Sequence, residues 1–413
     1  MLLPTGNLLF DSLSRNTGDI AMGIAAQQLL DARAFPSRIV RPFDPVVPSP
    51  LIIGGGELIR TSGDAFYDSF RQRGPHILNA AGVWSGADDL GYLNEYSFVS
   101  ARSEVEVDVL RRSVPDAQLL PCATTLLSSD HFEIPGIEPG ETVVGIHMVP
   151  HSLRLIEDLV PIINAIPHKK VFIPFTHYNG DASFMGTLPF DRDNTIFLDT
   201  LTPLQLHSVI SQMSYVVVSS LHASIFAYSQ NVPFASVHQV KAEQYFQDRG
   251  LADHMVRNDR ELIALLDRLN SDKFDFTGQI THDHARVNKA FDQYVEILRQ
   301  VPAGGEFVAP ATPQARREDV MLLDQAQLVI RDHDLALSHS ESRRMALKHE
   351  VVDLNRTVVR GLDERQKLRG ELERTVQALN AANSILERQR QVLWRRIGRR
   401  ARGLLRRFTA VFQ

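Results

Sequence analysis

Short apolar runs rich in β-branched residues alternate with amphipathic segments along the first half of this chain, from residue 7 to about residue 237. Buried strands read as continuous apolar runs and helices as amphipathic segments, so the alternation predicts βα units around parallel sheets. The predicted strands lie at residues 8–11, 37–41, 51–54, 76–80, 98–101, 118–121, 143–148, 170–174, 195–198, 215–219 and 234–237.

One polar segment divides these units into two sets. Residues 128–141, SSDHFEIPGIEPGE, are rich in proline and glycine and lack apolar periodicity. At 413 residues the chain can form two domains and an appendage. We therefore predict an α/β fold with two Rossmann-like domains, 1–130 and 131–301, that face a cleft where a ligand binds beyond the strand ends.

A different repeat follows a predicted linker at 302–316. Residues 317–393 carry a heptad row and contain no proline, which predicts a coiled coil and a homo-oligomer. Packing of this helix back onto the enzyme and a single solvated helix are the alternatives. The row consists of Leu323, Ile330, Leu337, Arg344, Val351, Val358, Arg365, Leu372, Leu379, Leu386 and Leu393.

The last segment, 394–413, predicts a basic amphipathic helix. Nine arginines and no acidic residue lie between positions 388 and 407. The net charge of −5 is split, because residues 316–413 carry +8 and leave −13 for the first 315 residues. A basic helix with Trp and Phe on its apolar face suits an anionic membrane surface. Nucleic acid is the less favoured partner, since the acidic portion opposes its approach.

The sequence favours an intracellular location. Cys122 is the single cysteine, so neither a disulfide framework nor a multi-cysteine metal site is expected. The N-terminal residues lack the pattern of a secretory signal, and no apolar run is long enough to span a membrane. We expect a cytoplasmic protein that is peripheral at the inner face of the plasma membrane.

Two glycine-containing turns follow predicted strands of the first domain. Asn16-Thr17-Gly18-Asp19 opens a helix whose free N–H groups could face an anion, although an ordinary N-cap explains the same pattern. Gly54-Gly55-Gly56 ends a buried strand, where a ligand could approach the backbone closely. A plain tight turn is the alternative for the second motif.

The second domain offers a polar strand end. Ser219 and Ser220 end a strand and His222 begins a helix, whose N-terminus disfavours the imidazolium and keeps the ring available as a base. Lys241 follows the next strand and could hold a phosphate or carboxylate. Structural roles for the histidine and solvent exposure of the lysine are the alternatives.

Together these motifs resemble the polysaccharide pyruvyl transferase family over roughly residues 5–300. The N-x-G-D motif, the glycine turn and the Ser220-Leu221-His222-Ala223 segment carry the resemblance, joined by Ser100-Ala101-Arg102 and by residues 241–250. Many members have Arg-Leu-His-Gly where this chain has Ser220 and Ala223. They also carry an aspartate before proline where this chain has 121–123, Pro-Cys-Ala.

The resemblance implies a two-domain fold similar to GT-B glycosyltransferases and phosphoenolpyruvate as donor substrate, with no other cofactor. The acceptor would be a lipid-linked or polymeric glycan. His222 is expected to transfer a proton, and Arg102 with Lys241 to neutralise the donor's charge. Arg60 is the other candidate for the missing arginine. The remaining predicted substrate-binding residues are Asn16, Gly18, Asp19, Gly54, Gly55, Gly56, His177, Ser219 and Ser220.

Further histidines lie near the predicted cleft, and two other functions fit the same sequence features. His147 and His151 are additional candidates near the cleft, but their spacing and that of His177 supports no metal site. A sugar-nucleotide glycosyltransferase of GT-B type would use the same cleft and glycine turns. A non-catalytic scaffold, in which a decayed transferase domain supports the coiled coil, is the alternative from another class.

Overall fold

A computed structural model describes most of the first 300 residues and short parts of the remainder. The described residues are 5–12, 16–44, 46–47, 49–138, 140–175, 181–198, 201–300, 307–308, 344, 376–378 and 380–391.

The first sheet is six-stranded and parallel, with the order β2-β1-β4-β5-β6-β7. Strand order reverses between β1 and β4, which makes the carboxyl ends of these two strands a ligand site by the switch-point rule. The strands of this region are β1 Gly6–Leu9, β2 Ser37–Val40, β3 Val46–Val47, β4 Leu51–Gly54, β5 Ile77–Ala81, β6 Phe98–Ala101 and β7 Gln118–Leu119.

The second sheet is also six-stranded and parallel, with the order β10-β9-β8-β11-β12-β13. Its switch point lies between β8 and β11, so His147 and the 219–222 segment follow its two flanking strands. The strands are β8 Val143–His147, β9 Lys169–Phe172, β10 Thr195–Phe197, β11 Tyr215–Val218, β12 Phe234–Val237 and β13 Met255–Val256.

Helices cover both sheets. Several begin at a side-chain cap, and α7 has a full capping box between Thr202 and Gln205. The helices are α1 Thr17–Asp31, α2 Ala65–Asp68, α3 Glu104–Arg111, α4 Ser152–Leu155, α5 Leu159–Asn164, α6 Asp181–Thr187, α7 Pro203–Ser211, α8 Leu221–Ser229, α9 Val240–Gln247, α10 Asp259–Ser271 and α11 Thr277–Gln300.

The central strands β1, β4, β5, β8, β11 and β12 are buried along their whole length, which explains their near-continuous apolar sequences. Each of the eleven predicted strands overlaps an observed one. The sequence did not predict β3, β13 or β14 (Phe307–Val308), each of two residues.

Helix α11 packs on both halves of the α/β region. Its Tyr294 hydroxyl bonds to Asn79 Oδ1 at 3.2 Å, on β5, and its Asp283 accepts from Arg249 Nε at 2.7 Å. Tyr228 also donates to Asp283, at 3.1 Å. These buried contacts tie the first sheet to the second-domain helices α8 and α9 through one helix.

One short strand lies inside the segment predicted to be a linker. Residues 307–308 form β14 and pair antiparallel with β3. The other residues of 302–316 lie outside the described residues, so the linker stays a prediction.

Most of the predicted coiled coil and the whole basic tail lie outside the described residues. Within 317–393 the described residues 344, 376–378 and 380–391 are α-helical. Self-association and the membrane-facing tail thus stay predictions. Among the described residues, no helix combines the length and apolarity needed to cross a bilayer.

Candidate functional site

A cavity of about 280 Å³ opens where the strand ends of both sheets meet. The polar residues around it come from the segments after β1, β4, β6, β11 and β12, as the switch-point rule predicts. Its lining comprises Asp11, Asn16, Asp19, Gly56, Glu57, Leu58, Arg60, Phe66, Tyr67, Arg102, Val149, Ser219, Ser220, Leu221, His222, Gln239 and Lys241.

The start of α1 touches the catalytic candidate His222. Asn16 caps this helix, its side chain accepting from the Gly18 N–H at 3.0 Å. A Cβ placed on Gly18 would lie 1.9 Å from His222 Nδ1, a distance that no real contact reaches. Gly18 is therefore required because the histidine ring packs directly against the helix backbone.

The glycine turn after β4 packs against the same helix. Gly55 and Gly56 have φ values of +94° and +72°, in the left-handed region that favours glycine. A Cβ on Gly56 would lie 3.0 Å from the Asp19 carboxyl group. Gly54 instead packs on the Asn79 carbonyl, at 2.9 Å from an added Cβ, and is not part of the cavity lining.

Arg102 places a buried cation at the cavity. Its residue is only 2 % exposed, and its Nε donates to Glu106 Oε1 at 3.2 Å. Glu106 is also engaged by Ser103 Oγ at 2.9 Å and by the Val83 N–H at 3.3 Å. Among the described residues Arg102 Nη2 is buried and has no hydrogen-bond partner. Such a group costs free energy unless an acceptor binds to it.

Lys241 adds a second cation, with solvent access, to the cavity wall. Desolvation by the surrounding groups lowers the pKa of its ammonium, and the nearby Arg102 guanidinium lowers it further. The two cations therefore repel each other, which an anion between them would relieve.

Two acid–base groups beside these cations have pKa values that shift in opposite directions. Burial raises the pKa of the Asp19 carboxyl to about 7, and Asp11 adds to the rise, although Lys241 and Arg102 oppose it. Burial lowers the pKa of His222 well below its usual value, and Arg102 and Lys241 lower it further. Near neutral pH Asp19 is thus partly protonated, whereas His222 is a neutral base. The buried Cys122 Sγ lies 3.9 Å from His222 Nε2.

The second-domain strand end is fixed by a buried pair. His147 Nδ1 accepts from the Ser219 N–H at 3.3 Å, and its Nε2 contacts Asp181 Oδ2 at 2.7 Å. Ser220 caps α8 by accepting from the Ala223 N–H at 3.5 Å. The strand end that carries His222 is therefore held by side-chain bonds as well as by the sheet.

The structure brings most of the predicted residues together. Gly18 and Gly55 lie directly behind the lining, and His177 lies outside the described residues. His147 is fully buried and paired with Asp181 instead of facing the cavity, while the exposed His151 contacts the His238 carbonyl at 3.2 Å. The predicted residues in the lining are Asn16, Asp19, Gly56, Arg60, Arg102, Ser219, Ser220, His222 and Lys241.

The two arginine candidates differ in their partners. Arg60 Nη2 pairs with Glu57 Oε2 at 2.9 Å, and its guanidinium lies 4.5 Å from the centre of the Tyr67 ring. Both arginines are thus ion-paired, but Arg60 Nη2 is already bonded to Glu57, whereas Arg102 Nη2 has no hydrogen-bond partner among the described residues. Of the two, Arg102 is the better substitute for an arginine before Leu221-His222.

Sequence reasoning missed several lining residues, namely Asp11, Glu57, Leu58, Phe66, Tyr67, Val149, Leu221 and Gln239. Asp11 and Glu57 follow β1 and the glycine turn directly, so their position at strand ends was a usable signal. Phe66 and Tyr67 belong to the short helix α2, and no sequence pattern marks them. In the described part of the chain, no three His, Cys, Asp or Glu side chains group as metal ligands do.

Several solved structures are similar to this chain. UDP-GlcNAc 2-epimerase from Methanocaldococcus jannaschii is 11% identical, with 71% of this chain and 99% of that chain covered and a TM-score of 0.43. A putative UDP-N-acetylglucosamine 2-epimerase from Listeria monocytogenes is 10% identical, with 71% and 98% covered and a TM-score of 0.45. An E. coli heptosyltransferase is 11% identical, with 71% and 99% covered and a TM-score of 0.30.

No curated protein matches this sequence. The family model of polysaccharide pyruvyl transferases matches residues 16–237, which is more than half of the 413 residues. That range begins at the cap of α1, ends with β12 and includes the cavity residues Arg102 and His222. The chain therefore belongs to the polysaccharide pyruvyl transferase family.

Proposed function

We propose that this protein transfers the enolpyruvyl group of phosphoenolpyruvate to a sugar hydroxyl of an exopolysaccharide or cell-surface glycan precursor and releases phosphate. The observation that carries the proposal is the buried Arg102, whose Nη2 has no hydrogen-bond partner among the described residues, in the lining of a cavity that also contains Lys241 and His222. Membership of the transferase family supports it.

Donor binding follows from charge. Phosphoenolpyruvate carries a phosphate and a carboxylate, each of which is bound best by arginine or lysine. Arg102 Nη2 would satisfy its missing hydrogen bond on one of these groups, and Lys241 would bind the other. Because the Arg102 guanidinium lowers the pKa of Lys241, an anion bound near both cations would relieve their repulsion, which favours donor binding.

The proposed chemistry divides proton transfer between two residues. Protonated Asp19 would donate to C3 of the donor, so that the electrons of the C2–C3 double bond form the new C–H bond and C2 becomes electrophilic. The acceptor oxygen would then form a bond to C2 while its proton passes to the neutral imidazole of His222. The pKa directions of the two groups support this division.

Closure of a pyruvate ketal would complete the reaction. The C2–O bond to phosphate breaks, and the phosphate leaves with the electron pair and takes the proton from His222. A second hydroxyl of the same sugar then attacks C2 and returns its proton to Asp19. Both groups are thereby restored to their starting protonation states, and atoms and charge balance.

The appendage suggests where the enzyme acts. We propose that the coiled coil at 317–393 associates the chain into a homo-oligomer and that the basic helix at 394–413 binds anionic lipid. A cytoplasmic location at the inner face of the plasma membrane would bring the cavity close to lipid-linked glycans. The support is the sequence pattern alone.

The test is a transfer assay with the full chain. The protein is incubated with phosphoenolpyruvate and a panel of lipid-linked glycans, and phosphate release and acceptor mass are measured. We expect stoichiometric phosphate release and a mass gain of one pyruvate less one water. Transfer from a nucleotide sugar with no reaction of phosphoenolpyruvate would instead favour a glycosyltransferase, and inactivity with both donors would favour the scaffold.

A further inference from the structure

The cavity lining has two parts of different chemistry. Arg102, His222 and Lys241 form the part that suits an anion. The other part comes entirely from the first domain and contains two carboxylates, an arginine and two aromatic rings. We call Asp11, Glu57, Arg60, Phe66 and Tyr67 the acidic–aromatic wall.

The acidic–aromatic wall is poorly suited to a dianionic donor. Arg60 is neutralised by Glu57, at 2.9 Å, and covers the Tyr67 ring at 4.5 Å. Asp11 adds a negative charge whose effect is already visible in the raised pKa of Asp19. A second phosphate or carboxylate placed here would meet two carboxylates, and Arg60, the cation of this wall, is already paired with one of them.

The same groups suit an uncharged polyol. Carboxylate oxygens accept several hydrogen bonds at once, and such charge-assisted bonds are strong. The faces of aromatic rings supply apolar area against the C–H face of a sugar ring, as in other ligand pockets that combine aromatic walls with a few polar groups.

Tyr67 is held in place before any ligand binds. Arg71, four residues further on, donates to the carbonyls of Arg60 at 2.5 Å, Asp88 at 3.1 Å and Asp89 at 3.0 Å. Its Nε also pairs with Asp68 at 3.2 Å. The short helix that carries Tyr67 is therefore pinned at several points, and a rigid aromatic side chain loses little entropy on binding.

The wall continues outward to Trp84. Ile59 bridges Val83 in parallel register, with Ile59 donating to Gly82 O at 3.2 Å and accepting from Trp84 N at 2.8 Å. The side chains of Ile59 and Val83 are buried, so those of the next residues, Arg60 and Trp84, lie on the opposite face. Trp84 is 46% exposed, and its backbone N–H, bonded to the Ile59 carbonyl, lies next to the peptide that leads to the cavity residue Arg60.

From these observations we propose that the acidic–aromatic wall binds the acceptor sugar and selects a ring that bears no negative charge, with Trp84 contacting the next sugar of the glycan. This inference rests on the proposed function for its reaction. It assigns the acceptor a place next to His222, where its hydroxyl would be deprotonated.

The test uses the full chain and five methyl glycosides as probes: the glucoside, galactoside and mannoside, and the glucuronide and galacturonide. Saturation-transfer NMR measures binding of each sugar, with and without phosphoenolpyruvate, and calorimetry measures binding of phosphoenolpyruvate alone. We expect at least one neutral glycoside to bind, and at least about tenfold more tightly than its uronide. Equal binding of matched neutral and acidic sugars, or no neutral binding at all, overturns the proposal.

Substitutions then locate the bound sugar. Tyr67→Ala should weaken neutral-sugar binding by about tenfold, whereas Tyr67→Phe keeps the ring and should weaken it by less than about threefold. Trp84→Ala should weaken a disaccharide but leave the monosaccharide unchanged. Unchanged sugar binding in Tyr67→Ala, with the fold intact by circular dichroism, overturns the assignment.

The binding measurements distinguish failure of the donor assignment from failure of the acidic–aromatic wall proposal. If phosphoenolpyruvate does not bind the wild-type chain, the donor assignment fails even when neutral sugars bind through Tyr67. If phosphoenolpyruvate binds equally to wild type and Tyr67→Ala while sugar binding is also equal, the wall proposal fails and the donor assignment stands.

Discussion

Gly18 and His222 lie in direct contact, with the helix backbone of the first domain packed on the imidazole of the second, so that an added Cβ would meet Nδ1 at 1.9 Å. The position of the proposed base therefore depends on a residue that has no side chain and belongs to a helix of the first domain. The contact joins the family's first and last motifs physically.

Gly18→Ala should displace His222 and lower the rate of pyruvyl transfer by about 100-fold, because small misplacements of reacting groups have effects of that size. Steady-state assays of phosphate release measure the change. The matched control is Gly278→Ala, at a helix position where an added Cβ meets nothing within 4 Å. The control should retain full activity, and equal activity of Gly18→Ala would refute the role of this contact.

Asp19→Asn should remove the proton donor and lower kcat by about 10²- to 10⁴-fold. Burial and Asp11 raise the pKa of Asp19 to about 7, so the wild-type rate should fall as pH rises through 7, where the carboxyl loses its proton. In the variant this descending limb should be missing from the residual activity. A wild-type profile with no change near pH 7 would exclude Asp19 as the acid.

The same group predicts a trend in stability. Because the folded-state pKa of Asp19 is above its usual value, the folded state holds a proton that the unfolded state has released between about pH 4 and 7. Stability attributable to this group therefore falls as pH rises through that interval. In thermal unfolding, the melting temperature of Asp19→Asn should rise relative to that of wild type from pH 4 to pH 8. A difference in melting temperature that is constant with pH would contradict the raised pKa of Asp19.

Arg102→Lys should weaken phosphoenolpyruvate binding by at least about tenfold, since lysine keeps the charge but loses the guanidinium geometry. Arg60→Lys is the matched control in the same cavity, because Arg60 Nη2 is already bonded to Glu57, whereas Arg102 Nη2 has no partner among the described residues. Calorimetric titration should leave the control within about twofold of wild type. Equal losses in both variants would show that Arg102 has no special role.

The basic tail can be tested without any assay of transfer. The full chain should float with liposomes containing anionic lipid, whereas a chain ending at Glu387, without the arginine-rich segment, should not. High salt should release the full chain, since the attraction is electrostatic. Equal flotation of both chains would remove the tail from membrane binding.

The α/β architecture could be predicted from the sequence because strands that are buried on both faces consist of consecutive apolar residues. Strands such as β4 and β11 are apolar at every position since both faces are covered. The two-residue strands β3, β13 and β14 are too short to show an apolar run, and each pairs with the edge of a neighbouring strand.

The site was predictable where it follows strand ends and unpredictable elsewhere. Arg102 directly follows β6, and Gly18 and His222 lie in the first turns of the helices that follow β1 and β11, so their convergence followed from topology. Tyr67 lies in the short helix α2, whose neighbour Arg71 bonds to the carbonyls of Arg60, Asp88 and Asp89, and such tertiary contacts leave no pattern in the sequence. His147 also lies at a strand end, but its side chain is buried against Asp181. The sequence does not show whether a histidine at such a position faces the cavity or the core.

The central claim is that the cavity binds phosphoenolpyruvate, and calorimetric titration of the full wild-type chain tests it most directly. The account predicts one site per chain, competition by inorganic phosphate, and loss of affinity in Arg102→Lys but not in Arg60→Lys. Absence of phosphoenolpyruvate binding, together with binding of a nucleotide sugar in the same cavity, would contradict it.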